Sequence, residues 1–195
     1  VRANRHYEIQ QDSAPSAAAR PTSVATSVAA PALFVDATAE LGGHRHVDPL
    51  FDDWERQFML PNSLSQLGPG VTWFDFDRDG DEDLLVGSGR GGRLGVFRND
   101  RGRLRLEPAS GPLASADLTT ILGLPEPGGT RILVGVSGWE GAPVSAVVSA
   151  RAGARIDAEV QAVVPARSSA TGPLAMADYD ADGDLDLFVG GRAVP

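Results

Sequence analysis

Short apolar runs, each closed by glycine, proline or aspartate, recur through the last two thirds of the chain. Val71-Thr72-Trp73-Phe74, Leu84-Leu85-Val86, Leu94-Gly95-Val96-Phe97-Arg98-Asn99 and Leu104-Arg105-Leu106 read as successive strands, the last two joined at Asp100-Arg101-Gly102. Their lengths suit strands, and the punctuation suits turns. A second series follows: Ile132-Leu133-Val134-Gly135, then Ser145-Ala146-Val147-Val148-Ser149, a turn near Gly153, and Arg155-Ile156 as the outermost strand. A third begins with Leu174-Ala175-Met176-Ala177 and Leu187-Phe188-Val189. Upstream the pattern is thinner. Tyr7-Glu8-Ile9 is strand-like, and 11–32 is a linker rich in Ala, Ser, Thr and Pro. Residues 33–38 read as a strand ended by Gly42-Gly43, and 52–60 as a short helix stopped by Pro61.

Three aliphatic runs end in Val-Gly, at Val86-Gly87, Val134-Gly135 and Val189-Gly190, spaced by 48 and 55 residues. A strand-rich unit of about fifty residues with glycine turns fits a propeller blade. The expected fold is therefore all-β, a partial β-propeller of four-stranded blades that belongs to a larger ring. Its divisions are an N-terminal segment and linker (1–32), an outer strand and inter-blade connection (33–69), a blade with an acidic loop (70–113), a degenerate blade without one (114–167) and the start of a further blade with an acidic loop (168–195).

Two of the hairpins carry the same frame, D-x-D-x-D-G-x-x-D-L, at residues 75–84 and 178–187. Carboxylates this dense repel one another unless a cation lies among them, and a hard dication with oxygen ligands, calcium above all, suits them. Asp75, Asp77 and Asp79 alternate and can point inward. Gly80 allows a sharp turn, the Asp81 carbonyl follows, and Asp83 closes the site. Asp178, Asp180, Asp182, Asp184 and Asp186, with Gly183, repeat the order. An EF-hand is excluded because its twelfth position needs Glu, and Val86 and Val189 stand there. The plainer alternative is two solvated Asp-Gly turns. The middle copy has lost this chemistry. Aligned on Val-Gly, Gly123, Pro125 and Pro127 replace the three alternating aspartates, and Arg131 stands in place of the closing Asp83 or Asp186.

Composition narrows the function. The 195 residues have a net charge of −9, but the two frames contain eleven acids, and without them the chain would carry +2. That pattern gives no support to a nucleic-acid surface. Cysteine is absent, so neither disulfides nor thiolate chemistry is available. No stretch is apolar enough to span a membrane. Gly87-Ser88-Gly89-Arg90-Gly91-Gly92 matches a dinucleotide fingerprint but leads into a strand, where that motif needs a helix. His44 and His46 with Asp48, Asp52 and Asp53 offer transition-metal ligands, against the simpler reading of a solvated loop. Carboxylates that chelate an ion stay ionised and make poor proton donors, so the frames argue against acid catalysis.

On residues 74–87 and 177–190 the chain resembles the FG-GAP/VCBS repeat family, whose calcium-binding blades also occur in integrin α-chain propellers. Residues 51–70, with Phe51-Asp52-Asp53-Trp54-Glu55-Arg56-Gln57 and Leu64-Ser65-Gln66-Leu67-Gly68-Pro69-Gly70, are similar to FG-GAP-like proteins with an ASPIC/UnbV segment. The resemblance implies calcium loops joining the two inner strands of each blade. It also implies a secreted, periplasmic or cell-surface module that binds a protein or a glycan and is not an enzyme. The alternative is the non-catalytic propeller part of a secreted polysaccharide-active enzyme.

Overall fold

The computed structural model describes residues 34–107, 111–141 and 144–194, so the Tyr7-Glu8-Ile9 strand and the 11–32 linker lie outside the described residues. The architecture below belongs to the unit 36–195. Among the described residues it is all-β, with ten strands in three antiparallel sheets and two short helical turns.

The first sheet is a four-stranded meander of β1 (Val71–Phe74), β2 (Asp83–Val86), β3 (Gly95–Asp100) and β4 (Arg103–Leu106). Phe74 pairs with Asp83, Leu84 with Phe97, and Phe97 with Leu106. Arg101 and Gly102 join β3 to β4, both with positive φ, the geometry of the two-residue hairpin turns that match strand twist. The Asn99 side chain accepts a hydrogen bond from the Gly102 amide at 2.8 Å and holds that turn.

The second sheet repeats the meander with β5 (Asp117–Glu126), β6 (Gly129–Ser137), β7 (Val147–Ala152) and β8 (Gln161–Val164). Its outermost strand is β8, not Arg155-Ile156 as the sequence suggests. Ile156 makes an isolated bridge to Ala152. That bridge closes a tight reversal, and the chain returns to β7 only at Gln161. The third sheet is a hairpin of β9 (Ala170–Ala177) and β10 (Asp186–Ala193).

β6 shows why the sheets stack. Ile132, Val134 and Val136 share a buried cluster with Phe76, Leu85 and Val96 of the first sheet and its loop. Leu133 points the other way, into a cluster with Val147 and Leu174. Successive side chains of a strand face opposite sides, so the unbroken apolar run Ile132-Leu133-Val134 is covered on both faces. The second sheet is thus layered between the first sheet and the β9–β10 hairpin. The leading strands β1, β5 and β9 run side by side. The Gly70 amide donates to the Leu118 carbonyl at 3.4 Å, and Thr119 Oγ1 donates to the Gly172 carbonyl at 3.0 Å. At Gly123 a Cβ would lie 2.3 Å from the Phe74 ring, so only glycine lets β5 approach β1 this closely.

The connection ahead of β1 departs from the sequence reading. Residues 34–37 form no strand. Instead the Asp36 side chain accepts from the Thr38 amide at 2.9 Å, and Thr38–Leu41 make a 3-10 turn ended by Gly42 in the left-handed region. The helix that the sequence places over 52–60 is only one turn, α1 (Asp53–Arg56), capped by Asp52. Gln57 leaves helical geometry at φ −145, and Trp54 Nε1 donates to the Leu60 carbonyl at 3.2 Å, folding the segment back. A single turn gains too few backbone bonds to persist alone, and this one is held by Asp53. The Asp53 carboxylate is 1% exposed and accepts from the Leu64 and Ser65 amides at 3.0 and 2.9 Å, from Ser63 and Ser65 hydroxyls, and from Trp139 Nε1 beyond β6.

Candidate metal centre

Each acidic hairpin is built by its own carboxylates. In the first, the Asp75 carboxylate accepts from the amides of Arg78 (2.6 Å), Asp79 (3.2 Å) and Gly80 (3.1 Å), which bends the chain around that side chain. Asp77 accepts from the Asp79 amide, and Asp79 accepts from the Asp81 amide at 2.9 Å. Asp83 Oδ2 reaches back to the Phe76 amide at 3.3 Å.

The second hairpin makes nearly the same bonds. Asp178 accepts from the Asp182 and Gly183 amides at 3.1 Å each, Asp180 from the Asp182 amide at 3.3 Å, Asp182 from the Asp184 amide at 2.9 Å, and Asp186 from the Tyr179 amide at 2.9 Å. The backbone repeats too. Arg78 and Ala181 have φ of 67 and 61, and Gly80 and Gly183 have φ of 98 and 96.

This wrapping brings one oxygen from each of Asp75, Asp77 and Asp83 within 4.8 Å of one another, and likewise Asp178, Asp180 and Asp186. Asp79, Asp81, Asp182 and Asp184 are not in those convergent groups. Asp79 and Asp182 hold the next turn, and the Asp81 carboxylate accepts from the Arg101 amide at 3.0 Å, tying the loop to the β3–β4 turn. The donors are all carboxylate oxygens, a set that fits a hard dication such as calcium or magnesium and not a thiophilic metal.

The surroundings of the two differ. Asp83 is fully buried, and its Oδ1 accepts from the Asn99 amide at 2.9 Å. Burial pushes its carboxyl up to about 6; the Asn99 and Phe76 amides oppose that, and the Asp79 and Asp75 charges add to it. The Arg98 guanidinium, 5.0 Å above the Phe76 ring, pairs with Asp77 and Glu107. Asp178, Asp180 and Asp186 are exposed.

The corresponding hairpin of the second sheet has no carboxylate frame. Leu124 pairs with Arg131 as Phe74 pairs with Asp83, so Arg131 does occupy the closing position. The turn is a tight Pro127-Gly128 with Gly128 at φ 85, the signature of a type II turn. The segment enclosed by Leu124 and Arg131 is two residues shorter than the one enclosed by Phe74 and Asp83, which places Pro125, not Gly123, where Asp75 stands. Arg131 Nε donates to Glu126 Oε1 at 2.6 Å across the hairpin. Arg78 reaches over from the first acidic loop to donate to the Glu126 and Gly129 carbonyls.

The histidine-aspartate group of the connection does not converge. His44 packs edge-on against Phe97 at 5.3 Å, Asp52 caps α1, and Asp53 is saturated with donors. Burial alone would raise the Asp53 carboxyl, but hydrogen bonds from Ser65, Ser63, Leu64 and Trp139 outweigh it and hold the group at about 2. His46 contacts Asp48 at 3.3 Å.

Asp48 instead belongs to a carboxylate group that sequence spacing does not reveal. One oxygen from each of Asp48, Asp117 and Glu140 lies within 4.8 Å of the others. They come from the connection, the start of β5 and the residues after β6, so no local motif carries them. Burial pushes Glu140 up to about 7 and moves Asp117 upward as well.

Compared with family models, curated proteins and solved structures, the chain matches none. No helix among the described residues is long and apolar enough to cross a membrane.

Proposed function

We propose that the chain is a calcium-stabilised segment of a β-propeller, with the two four-stranded meanders as blades and β9–β10 as the inner part of another. The observation that carries this reading is the recurrence of one hydrogen-bond pattern in two hairpins about a hundred residues apart, each converging three carboxylates at the start of a second strand. The side-by-side leading strands β1, β5 and β9 support it. Trp73 on the open side of the first sheet and Phe188 on β10 are 50% and 64% exposed, which suits further blades packing there.

Calcium in this reading is structural. It cancels the repulsion within each loop and ties the inner strands together. A site filled to a hundred times its dissociation constant adds about 2.7 kcal/mol. Extracellular modules commonly use sites of about 10⁻⁴ to 10⁻³ M; sites of that strength would fill outside the cytoplasm, and in this reading the module binds a protein or a glycan there. The FG-GAP/VCBS resemblance of residues 74–87 and 177–190 points the same way.

Calorimetric titration with calcium, and magnesium as control, tests the proposal. Wild-type chain is expected to take up calcium and gain thermal stability. The Asp77→Asn, Asp180→Asn double variant is expected to lose that uptake at the hairpins. Equal calcium-induced stabilisation of both proteins would defeat it.

A further inference from the structure

The Asp48, Asp117 and Glu140 group lies at the opposite end of the strands from the acidic hairpins. Asp117 opens β5 and Glu140 follows β6, whereas the Pro127-Gly128 turn that meets Arg78 is at the other end of the same pair. Asp117 and Glu140 are 8% and 6% exposed.

Their hydrogen bonding is incomplete. The Arg90 and Gln66 amides reach the Asp117 carboxylate, yet its Oδ1 has no partner among the described residues. His46 faces Asp48 Oδ2 at 3.3 Å, yet Asp48 Oδ1 has none. Among the described residues, neither oxygen of Glu140 has a hydrogen-bond donor. Its nearest cation is Arg90, with Nη2 3.7 Å away on a side chain that is 48% exposed, longer than the ~2.7–2.9 Å of a charge-assisted bond. Buried carboxylate oxygens left without donors are costly and rare.

When ionised, the three groups bring a charge of −3 and Arg90 returns +1, leaving what one dication neutralises. Oxygens up to 4.8 Å apart also match the width of a calcium shell, about 5 Å across at bond lengths of 2.3–2.6 Å. A cavity of about 50 Å³ lies beside Glu140, lined also by Arg90, Ser115 and Gly138.

We propose that Asp48, Asp117 and Glu140 bind a divalent cation of the oxygen-seeking, calcium class, at a site separate from the two acidic hairpins. It joins the long connection before β1 to the second sheet.

Calcium uptake by the full chain, counted by equilibrium dialysis and calorimetry with magnesium as control, tests this. In the Asp77→Asn, Asp180→Asn background one equivalent is expected to remain, and adding Glu140→Gln is expected to remove it. Asp48→Asn, a change in the half-buried connection, is expected to remove the same equivalent with an unchanged circular dichroism spectrum, which separates loss of a ligand from loss of the fold. Residual uptake unaffected by Glu140→Gln and Asp48→Asn overturns the proposal, as does an Asp77→Asn, Asp180→Asn variant that takes up none. The hairpin reading fails separately: wild-type chain would then bind a single equivalent that Glu140→Gln abolishes.

Discussion

Asp53 in the connection and Asp83 in the first acidic hairpin are both buried, and their proton affinities shift in opposite directions. Asp53 sits at about 2 and Asp83 at about 6. Burial disfavours the charged form in both. Five hydrogen bonds converge on Asp53, two from side-chain hydroxyls, two from amides and one from an indole N–H. Asp83 has two amide donors and carboxylate neighbours. The protein supplies all the stabilisation Asp53 needs and only part of what Asp83 needs. The first is a structural rivet, and the second has the electrostatics of a ligand.

The largest effect expected from breaking this contrast is at Asp53. Asp53→Ala strands several buried donors and should cost about 3 kcal/mol or more in urea denaturation. Asp53→Asn should flatten the acid limb. The folded value lies below the unfolded 3.8, so the stability Asp53 contributes is present above about pH 4 and lost as pH falls toward 2. A variant with an unchanged acid limb would remove the distinction.

Next comes Asp83→Asn, which keeps one amide bond and loses the other. It should cost about 1 kcal/mol in chelator-treated protein and cancel the calcium-dependent gain of the first hairpin. Asp186→Asn, at an exposed position, should cost less without calcium. Equal metal-free losses would mean that burial of the closing aspartate is immaterial.

The wild-type chain sharpens the same point through pH. Asp83 holds its proton more tightly in the folded state than at 3.8 in the unfolded chain. Its contribution in metal-free protein therefore favours folding below about pH 4 and is lost as pH rises through about 6. Comparing Asp83→Asn with wild type across that interval by chemical denaturation isolates it, and a difference that grows with pH would contradict the assignment.

The smallest effect separates the two hairpins at their fourth position. Ala181→Gly should stabilise by about 0.5 kcal/mol by relieving a left-handed alanine. Arg78→Gly relieves the same strain but forfeits the bonds to the Glu126 and Gly129 carbonyls, so no gain is expected. Thermal denaturation of the pair reads this directly.

The hairpins were legible because the information that folds them is local. In each, an aspartate accepts from amides three to five residues ahead, and a ten-residue frame contains the whole pattern. The strands were legible from short apolar runs and turn residues. What escaped the sequence depends on distant partners. Residues 34–38 have strand-like composition, but Asp36 takes the Thr38 amide and turns the chain. Arg155-Ile156 bridges back to Ala152 before β8 begins. Arg98 enters the first hairpin from a different strand, and Asp48, Asp117 and Glu140 come from three separate segments. Asp79 and Asp81 share the spacing of ligands, and the structure adds amide bonds to their carboxylates, from Asp81 and from the distant Arg101.

The close approach of Gly123 to Phe74 links inheritance in one sheet to chemistry in the next. Phe74 immediately precedes Asp75, so a methyl group added at Gly123 would press on the residue from which the first loop departs. A side chain introduced at that distant glycine is expected to shift the first loop. A library selected for altered ion affinity should therefore return substitutions along β5 that never touch the ion.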